Sequence, residues 1–250
     1  MPARTITEPR PRKCDHCLIR HRALCNVADE QGLAELNRIG HVRSFTAGST
    51  IITAGEQMPF VGNVRSGVVK LTKVMSDGRQ QIVGLLFASD FVGRAFEDHW
   101  PYSAEAATDV ELCAFERTAF ERVLADYPLL EHHLLIATLN ELDAARDWMM
   151  LLGCKTAEEK VASFLMFIAR RALNEGSCSD PHGSAPCFEL PISRSDMAAY
   201  LGTTVETVSR QITRLKTANV IRLTNTHHFI VPDMDRLAAV AGIDETAEQG

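Results

Sequence analysis

The chain has 250 residues, 46% of them hydrophobic, enough for one large core or two smaller ones. Its formal net charge of −6 excludes a generic polyanion binder held by charge alone. No apolar run approaches the roughly 18–20 residues that span a bilayer, and the N-terminus lacks the apolar stretch of a secretory signal, so a cytoplasmic protein without a membrane partner is expected.

The first 25 residues carry Arg4, Arg10, Arg12, Lys13, Arg20 and Arg22 against Glu8 and Asp15. A solvated basic tail accounts for this excess as well as a contact surface does. The same arm holds Cys14-Asp15-His16-Cys17 and Cys25, a C-x2-C-x7-C spacing, while Cys113 stands alone far downstream. Four thiolates suit zinc and iron–sulfur clusters alike. Structural zinc sites usually take two close ligand pairs, and the solitary Cys113 tilts the choice towards a cluster. His16 and His21 are weaker substitutes as ligands. Seven cysteines in a reducing compartment point to metal chemistry or buried thiols rather than a disulfide framework. Cys154 reads as a packed small residue, and Cys178 and Cys187 read as exposed thiols in a Gly/Ser/Pro-containing loop.

From about Phe45 to Phe115 short apolar runs alternate with Gly and turn residues. Val68–Val74 and Gln81–Leu86 flank Asp77-Gly78, a hairpin signal, and the recurring spacing predicts a small β-roll or sandwich with Gly48, Gly55, Gly67 and Gly93 at corners. Such a roll resembles a cupin. Cupin enzymes hold metal through clustered histidines, whereas this region has His99 without a His-x-His constellation, so an enzyme is not expected.

After Pro128 a helical pattern lasts roughly 25 residues, with Leu135, Thr138, Leu142, Ala145, Met149 and Leu152 spaced 3,4,3,4,3. That is a heptad seam. With Leu135 at an a position, Glu141 falls at g and Arg146 at e, so Glu141 to Arg146 ion pairs are expected across a symmetric dimer. Packing of the same stripe on the β-domain is the competing reading. A further helix is expected from about Ala157 to Leu173, followed by a linker over Ser177–Pro186.

Ser193-Arg194-Ser195-Asp196 carries a capping box, and Gly202 ends the helix it opens. A second helix is expected from Thr203 to about Lys216. Helix, Gly turn, helix is the helix-turn-helix layout. Val205, Val208, Ile212 and Leu215 should be buried, and Glu206, Ser209, Arg210 and Thr213 should point outward together. An Arg can bridge guanine O6 and N7, and a Glu can accept from cytosine N4. Completion of a capping box with Thr203 is the competing role for Glu206. Val220–Leu223 and Phe229–Val231 read as a hairpin wing.

The segment Asp196–Lys216 with Thr207-Val208-Ser209-Arg210 at its centre, the Phe45-x-x-Gly48 and Gly55-Glu56 pattern, Gly67-Val68, Phe91-Val92-Gly93, the long helix and Ala157–Val161 together resemble the CRP/FNR superfamily of bacterial regulators. The likeness covers nearly the whole chain. It implies an α+β fold: a cysteine arm (1–28), a cupin-like β-roll sensor domain (29–128), a dimerisation helix (129–155), a connecting helix and linker (156–187) and a winged helix-turn-helix (188–250). In the cyclic-nucleotide branch a Glu and an Arg grip ribose and phosphate. Here those places read Gly93-Arg94-Ala95 and Tyr102-Ser103, so no cyclic nucleotide is expected. Cys14, Cys17, Cys25 and Cys113 match the ligands of the oxygen-sensing FNR branch, implying one [4Fe-4S] cluster per subunit, and the x7 spacing is similar to that of the FnrN/FnrL-type regulators. The resemblance further implies a homodimer formed while the cluster is intact, and Glu206, Ser209 and Arg210 reading a palindromic TTGAT-N4-ATCAA-like site in double-stranded DNA. It also implies contact with the sigma and alpha subunits of RNA polymerase, with Met75-Ser76-Asp77-Gly78-Arg79-Gln80 as a sigma-facing turn. Relatives often carry an acid in the dimer seam where this chain has Ala145. The remaining alternative keeps the DNA-binding fold but answers to zinc, thiol oxidation or nitric oxide.

Overall fold

The computed structural model describes residues 14, 17–173 and 185–243. It divides into two compact units, residues 1–71 with 85–140 and residues 72–84 with 141–250.

In the first unit a 3-10 turn, Leu24–Val27, leads into helix α1, Glu30–Ile39. Asp29 caps α1 by accepting the Gly32 N–H at 2.7 Å, and Leu33, Leu36 and Ile39 form its buried face. Eight strands follow: β1 Gly40–Phe45, β2 Thr50–Ile52, β3 Phe60–Ser66, β4 Val69–Val74, β5 Gln80–Leu86, β6 Phe91–Val92, β7 Ser103–Ala106 and β8 Val110–Glu116. They form two four-stranded sheets, ordered β1-β8-β3-β6 and β2-β7-β4-β5, which is the expected β-roll. The turn between β3 and β4 depends on Gly67, at φ +81°, where a Cβ would lie 2.1 Å from the Asp109 carbonyl oxygen.

Glu116 ends β8 and caps helix α2, Arg117–Asp126, accepting from the N–H groups of Thr118 and Ala119. Phe120 of α2 is fully buried and stacks on Phe115 and Phe91, so α2 closes one end of the roll. Neither α1 nor α2 was anticipated from sequence. Helix α3, Pro128–Cys154, is the long helix; its Leu130 joins Leu24, Leu36, Phe115 and Phe120 in one core cluster, with Cys25, Cys113 and Leu134 packed against it.

In the second unit helix α4, Ala157–Leu173, is buried along Val161, Phe164, Leu165 and Ile168. Strand β9, Cys187–Glu189, pairs with a two-stranded wing, β10 Arg222–Leu223 and β11 His228–Ile230, in the order β10-β11-β9. Between them lie α5, Arg194–Leu201, and α6, Val205–Thr217; α7, Met234–Ala241, follows the wing. Lys155 fastens this unit, donating to Ser163 Oγ at 2.9 Å and to the Ala241 carbonyl at 2.6 Å. Most of the expected linker, residues 177–184, lies outside the described residues, as do Cys178 and His16. Among the described residues no helix is long and apolar enough to cross a membrane.

Candidate functional site

Four thiols from two distant parts of the sequence share one neighbourhood. Cys14 and Cys17 are joined by a backbone hydrogen bond from the Cys17 N–H to the Cys14 carbonyl at 3.4 Å, and the Cys14 thiol donates to Asn37 Oδ1 on α1 at 3.7 Å. Cys25 lies in the 3-10 turn. Cys113 is in the middle of β8, opposite Val42 of β1 and Asn63 of β3. All four are thiols and half-buried. Burial pushes the Cys113 thiol up to about 12, with Cys14, Cys17 and Cys25 adding to the rise and Arg65 opposing it. Burial likewise raises Cys25 to about 11, with Cys17 and Cys14 adding and Arg20 opposing. The arm thiols are therefore within electrostatic reach of Cys113.

The backbone packs closely beside Cys113. A Cβ on Gly40 would lie 2.8 Å from the Leu36 carbonyl oxygen, 3.1 Å from the Phe115 ring and 3.6 Å from Cys113 Sγ. One tetrahedral ion would bring four sulfurs to within about 4 Å of each other. Among the described residues no group of three or more His, Cys, Asp or Glu is placed to hold a metal ion as the side chains stand. An all-sulfur donor set against an apolar core suits an iron–sulfur cluster. Asn63, on the same face as Cys113, is 3% exposed, and its Oδ1, an acceptor, has no hydrogen-bond partner among the described residues. Sequence reasoning missed Asn63 because its burial follows from strand pairing and from the helices laid over that face.

The helix-turn-helix forms as expected at α5. Ser193 and Asp196 make a reciprocal capping box, and Gly202 terminates the helix at φ +61°. Helix α6 starts at Val205, two residues later than expected. Thr204 is its N-cap, accepting from the Thr207 N–H at 3.2 Å, so Glu206 does not close a capping box with Thr203. Its exposed carboxylate is held below the usual range by its own backbone N–H and the Thr204 hydroxyl. Val208, Ile212 and Leu215 are buried, but Val205 is 39% exposed because it begins the helix before the turn closes over it. Gln211 is buried where a solvated polar residue would be expected. Glu206, Arg210 and Thr213 are exposed and Ser209 is half-buried, on one outward face. Arg210 is steadied by Thr207 Oγ1 at 3.4 Å. The Thr213 hydroxyl donates to the Ser209 carbonyl at 2.9 Å.

On α3 every residue from Leu135 to Asp147 is exposed, including Thr138, Glu141, Ala145 and Arg146. Leu135, Leu142 and Met149 of the expected seam are flanked by exposed Ile136, Leu139 and Met150, while Leu152 is half-buried. Arg146 pairs with Asp143 of its own helix at 2.8 Å. Met75 to Gln80 form an exposed turn between β4 and β5, closed by the Met75 N–H on the Arg79 carbonyl and by the Gly78 N–H on the Met75 carbonyl, with Arg79 paired to Asp77.

Two cysteine expectations are corrected. Cys154 is exposed at the last position of α3 rather than packed. Cys187 is buried in β9 and disulfide-bonded rather than an exposed thiol, because β9 is the strand that completes the wing sheet.

Comparison with known proteins gives the same architecture. The cyclic nucleotide-binding domain family matches residues 42–127 and the Crp-like helix-turn-helix family matches residues 159–240. A probable transcriptional activator of Rhizobium leguminosarum bv. viciae is 49% identical over 91% of this chain and 92% of its own length. The transcriptional activator protein FnrL of Cereibacter sphaeroides is 48% identical over 93% of each. Among solved structures, FixK2 from Bradyrhizobium japonicum superimposes with a TM-score of 0.72 at 30% identity, covering 81% of this chain and 97% of that one. With the β-roll, the long helix and the winged helix-turn-helix in this order, the chain belongs to the CRP/FNR superfamily of transcription regulators, among its FnrL- and FixK-like activators.

Proposed function

We propose that the chain is a cytoplasmic, oxygen-responsive activator that takes one [4Fe-4S] cluster per subunit on Cys14, Cys17, Cys25 and Cys113, rather than a cyclic nucleotide. The observation that carries this reading is that three arm thiols lie within electrostatic reach of one strand thiol, with Cys25 and Cys113 packed against a single core. When bound, such a group supplies an oxygen-labile bridge between the arm and β8.

The rest follows from the chain's own residues. Leu24 beside Cys25, and Phe115 beside Cys113, pack in the same core as Leu130, with Leu134 against it at the start of α3. Holding the arm on β8 therefore steadies the N-terminal turns of α3. That favours pairing of the exposed Leu135, Leu142 and Met149 stripe with a second copy, by linkage between arm docking and dimerisation. In the pair, Glu141 and Arg146 face each other across the seam, contributing about 0.3–1 kcal/mol per exposed ion pair. Two copies of α6 one helical turn apart then read a TTGAT-N4-ATCAA-like palindrome, Arg210 at guanine, Glu206 at cytosine, Ser209 and Thr213 beside them. A monomer lacks the second half-site and binds weakly. The Met75–Gln80 turn is the surface offered to the sigma subunit of RNA polymerase, and the C-terminal unit faces the alpha subunit.

The test is iron and acid-labile sulfide content, with absorption spectra before and after air, on anaerobically purified protein. About four of each per chain, bleaching in air together with loss of DNA binding, supports the reading. Zinc without sulfide keeps the DNA-binding regulator and removes this signal.

A further inference from the structure

Trp148 is where α3 meets the DNA-binding helices. From Leu135 to Met150 every side chain of α3 is exposed except Trp148, which is half-buried. Its indole stacks on the Tyr200 ring of α5, with 4.2 Å between centroids and 20° between planes, and lies tilted against Phe167 of α4 at 6.5 Å. Tyr200 is itself buried and meets Phe164 of α4 edge-on at 5.8 Å. Trp148 therefore joins α3 to α4 and α5 together. Its Nε1 is buried without a hydrogen-bond partner among the described residues, so the indole acts here through its ring rather than through its N–H.

Lys155 and Thr156 alone separate α3 from α4, and Thr156 starts α4 with a reciprocal cap: its N–H donates to Glu159 Oε2 at 2.7 Å, and its Oγ1 accepts from the Glu159 N–H at 3.3 Å. A short joint between two helix ends is a place where a chain can bend. With 17 residues α4 is about 25 Å long, so a bend of about 10° at its start carries its far end about 4 Å, roughly one base-pair step. The Trp148–Tyr200 stack spans this joint and braces it. We infer that Trp148 is a positioning residue for palindrome recognition: its stack on Tyr200 fixes the angle between the dimer helix and the helix-turn-helix, and so sets the half-site spacing that a dimer accepts. This rests on the palindrome-binding dimer proposed above. Both half-sites are read together only when the two copies of α6 hold that spacing.

The experiment uses full-length, anaerobically purified Trp148→Leu and Trp148→Phe. Leu keeps the position apolar but removes the flat ring; Phe keeps a ring that can stack. Each is titrated with palindromes of identical half-sites whose spacer is four base pairs, or is shortened or lengthened by one or two, and with a duplex carrying a single half-site. Sedimentation reads the dimer. Wild type binds the four-base-pair spacer most tightly. Trp148→Leu loses about tenfold on that spacer, and its affinities across the spacer series converge, while its single-half-site affinity and sedimentation are unchanged. Trp148→Phe stays within about twofold of wild type at every spacer. An unchanged spacer preference in Trp148→Leu overturns the assignment. So does an equal loss at every spacer and on the single half-site, which marks damage to the helix-turn-helix itself, and so does a lost dimer, which makes Trp148 a seam residue. Trp148→Phe as impaired as Trp148→Leu removes the stack as the cause. If Trp148→Leu does not fold, Trp148→Met carries the same readings. A wild-type dimer without spacer preference defeats the underlying palindrome reading instead, a result distinct from any variant outcome.

Discussion

The thiol site and the recognition helix are built in opposite ways. Helix α6 gathers Glu206, Ser209, Arg210 and Thr213 from one continuous stretch, so a 3.6-residue period is enough to bring them to one face. The thiol site draws Cys14, Cys17 and Cys25 from an arm and Cys113 from β8, and it forms only when the roll has closed and α1 has docked. A site made by local geometry is rigid and always present. A site made by long-range packing exists only while the closed fold holds its parts together.

The largest effect should come from breaking the long-range site. Cys113→Ser should abolish iron and sulfide retention in anaerobically purified protein, while the circular dichroism of the winged helix-turn-helix stays unchanged; retention of a full complement would show that the β-strand thiol is not a ligand. Next is the link between the two regions. Ala145→Asp places facing carboxylates in the seam and should weaken the dimer by about 2 kcal/mol or more even with the cysteine site loaded, read by sedimentation. Unchanged sedimentation would move the seam off this face of α3.

At the local site, Arg210→Ala should cost about 1–3 kcal/mol of DNA affinity and relax the preference at one base pair of each half-site, measured by anisotropy with a substituted palindrome. A uniform loss across all sequences would make Arg210 a phosphate contact. The smallest effect concerns pH. Cys25 and Cys113 are raised in the folded, cluster-free protein from 9.0 to about 11 and about 12, so the folded state holds their protons more tightly than the unfolded chain does. Their contribution is fully present below pH 9 and is lost as pH rises through 11 and 12. Cluster-free protein should therefore unfold at lower denaturant at pH 10 than at pH 8, and Cys113→Ser should shrink that difference.

Much of the second unit could be read from residues. The Ser193 and Asp196 capping box, the Gly202 stop and the Val208, Ile212, Leu215 stripe all depend on neighbours within a turn or two. The later start of α6 arises because Thr203 and Thr204 are both plausible caps, and only the hydrogen bond to Thr207 chooses between them. The helices α1 and α2 carried signals that went unread: Asp29 before Leu33, Leu36 and Ile39, and Glu116 before Phe120, Val123 and Leu124. Cys187 misled because its Gly/Ser/Pro surroundings hide a strand whose burial depends on pairing with β11 some forty residues later.

By itself the sequence determined the elements whose hydrogen bonds close locally: the strand alternation of the roll, the length of α3, and the outward face of α6. Tertiary structure alone decided what depends on distant partners. It set Cys113 at the register of Asn63, left Leu135 to Asp147 of α3 exposed, and buried Asn63 with its Oδ1 unpaired among the described residues. The physical reason is the range of the forces involved. Backbone hydrogen bonding and side-chain period act over a few residues, whereas burial and electrostatic coupling depend on which segments the closed fold brings side by side.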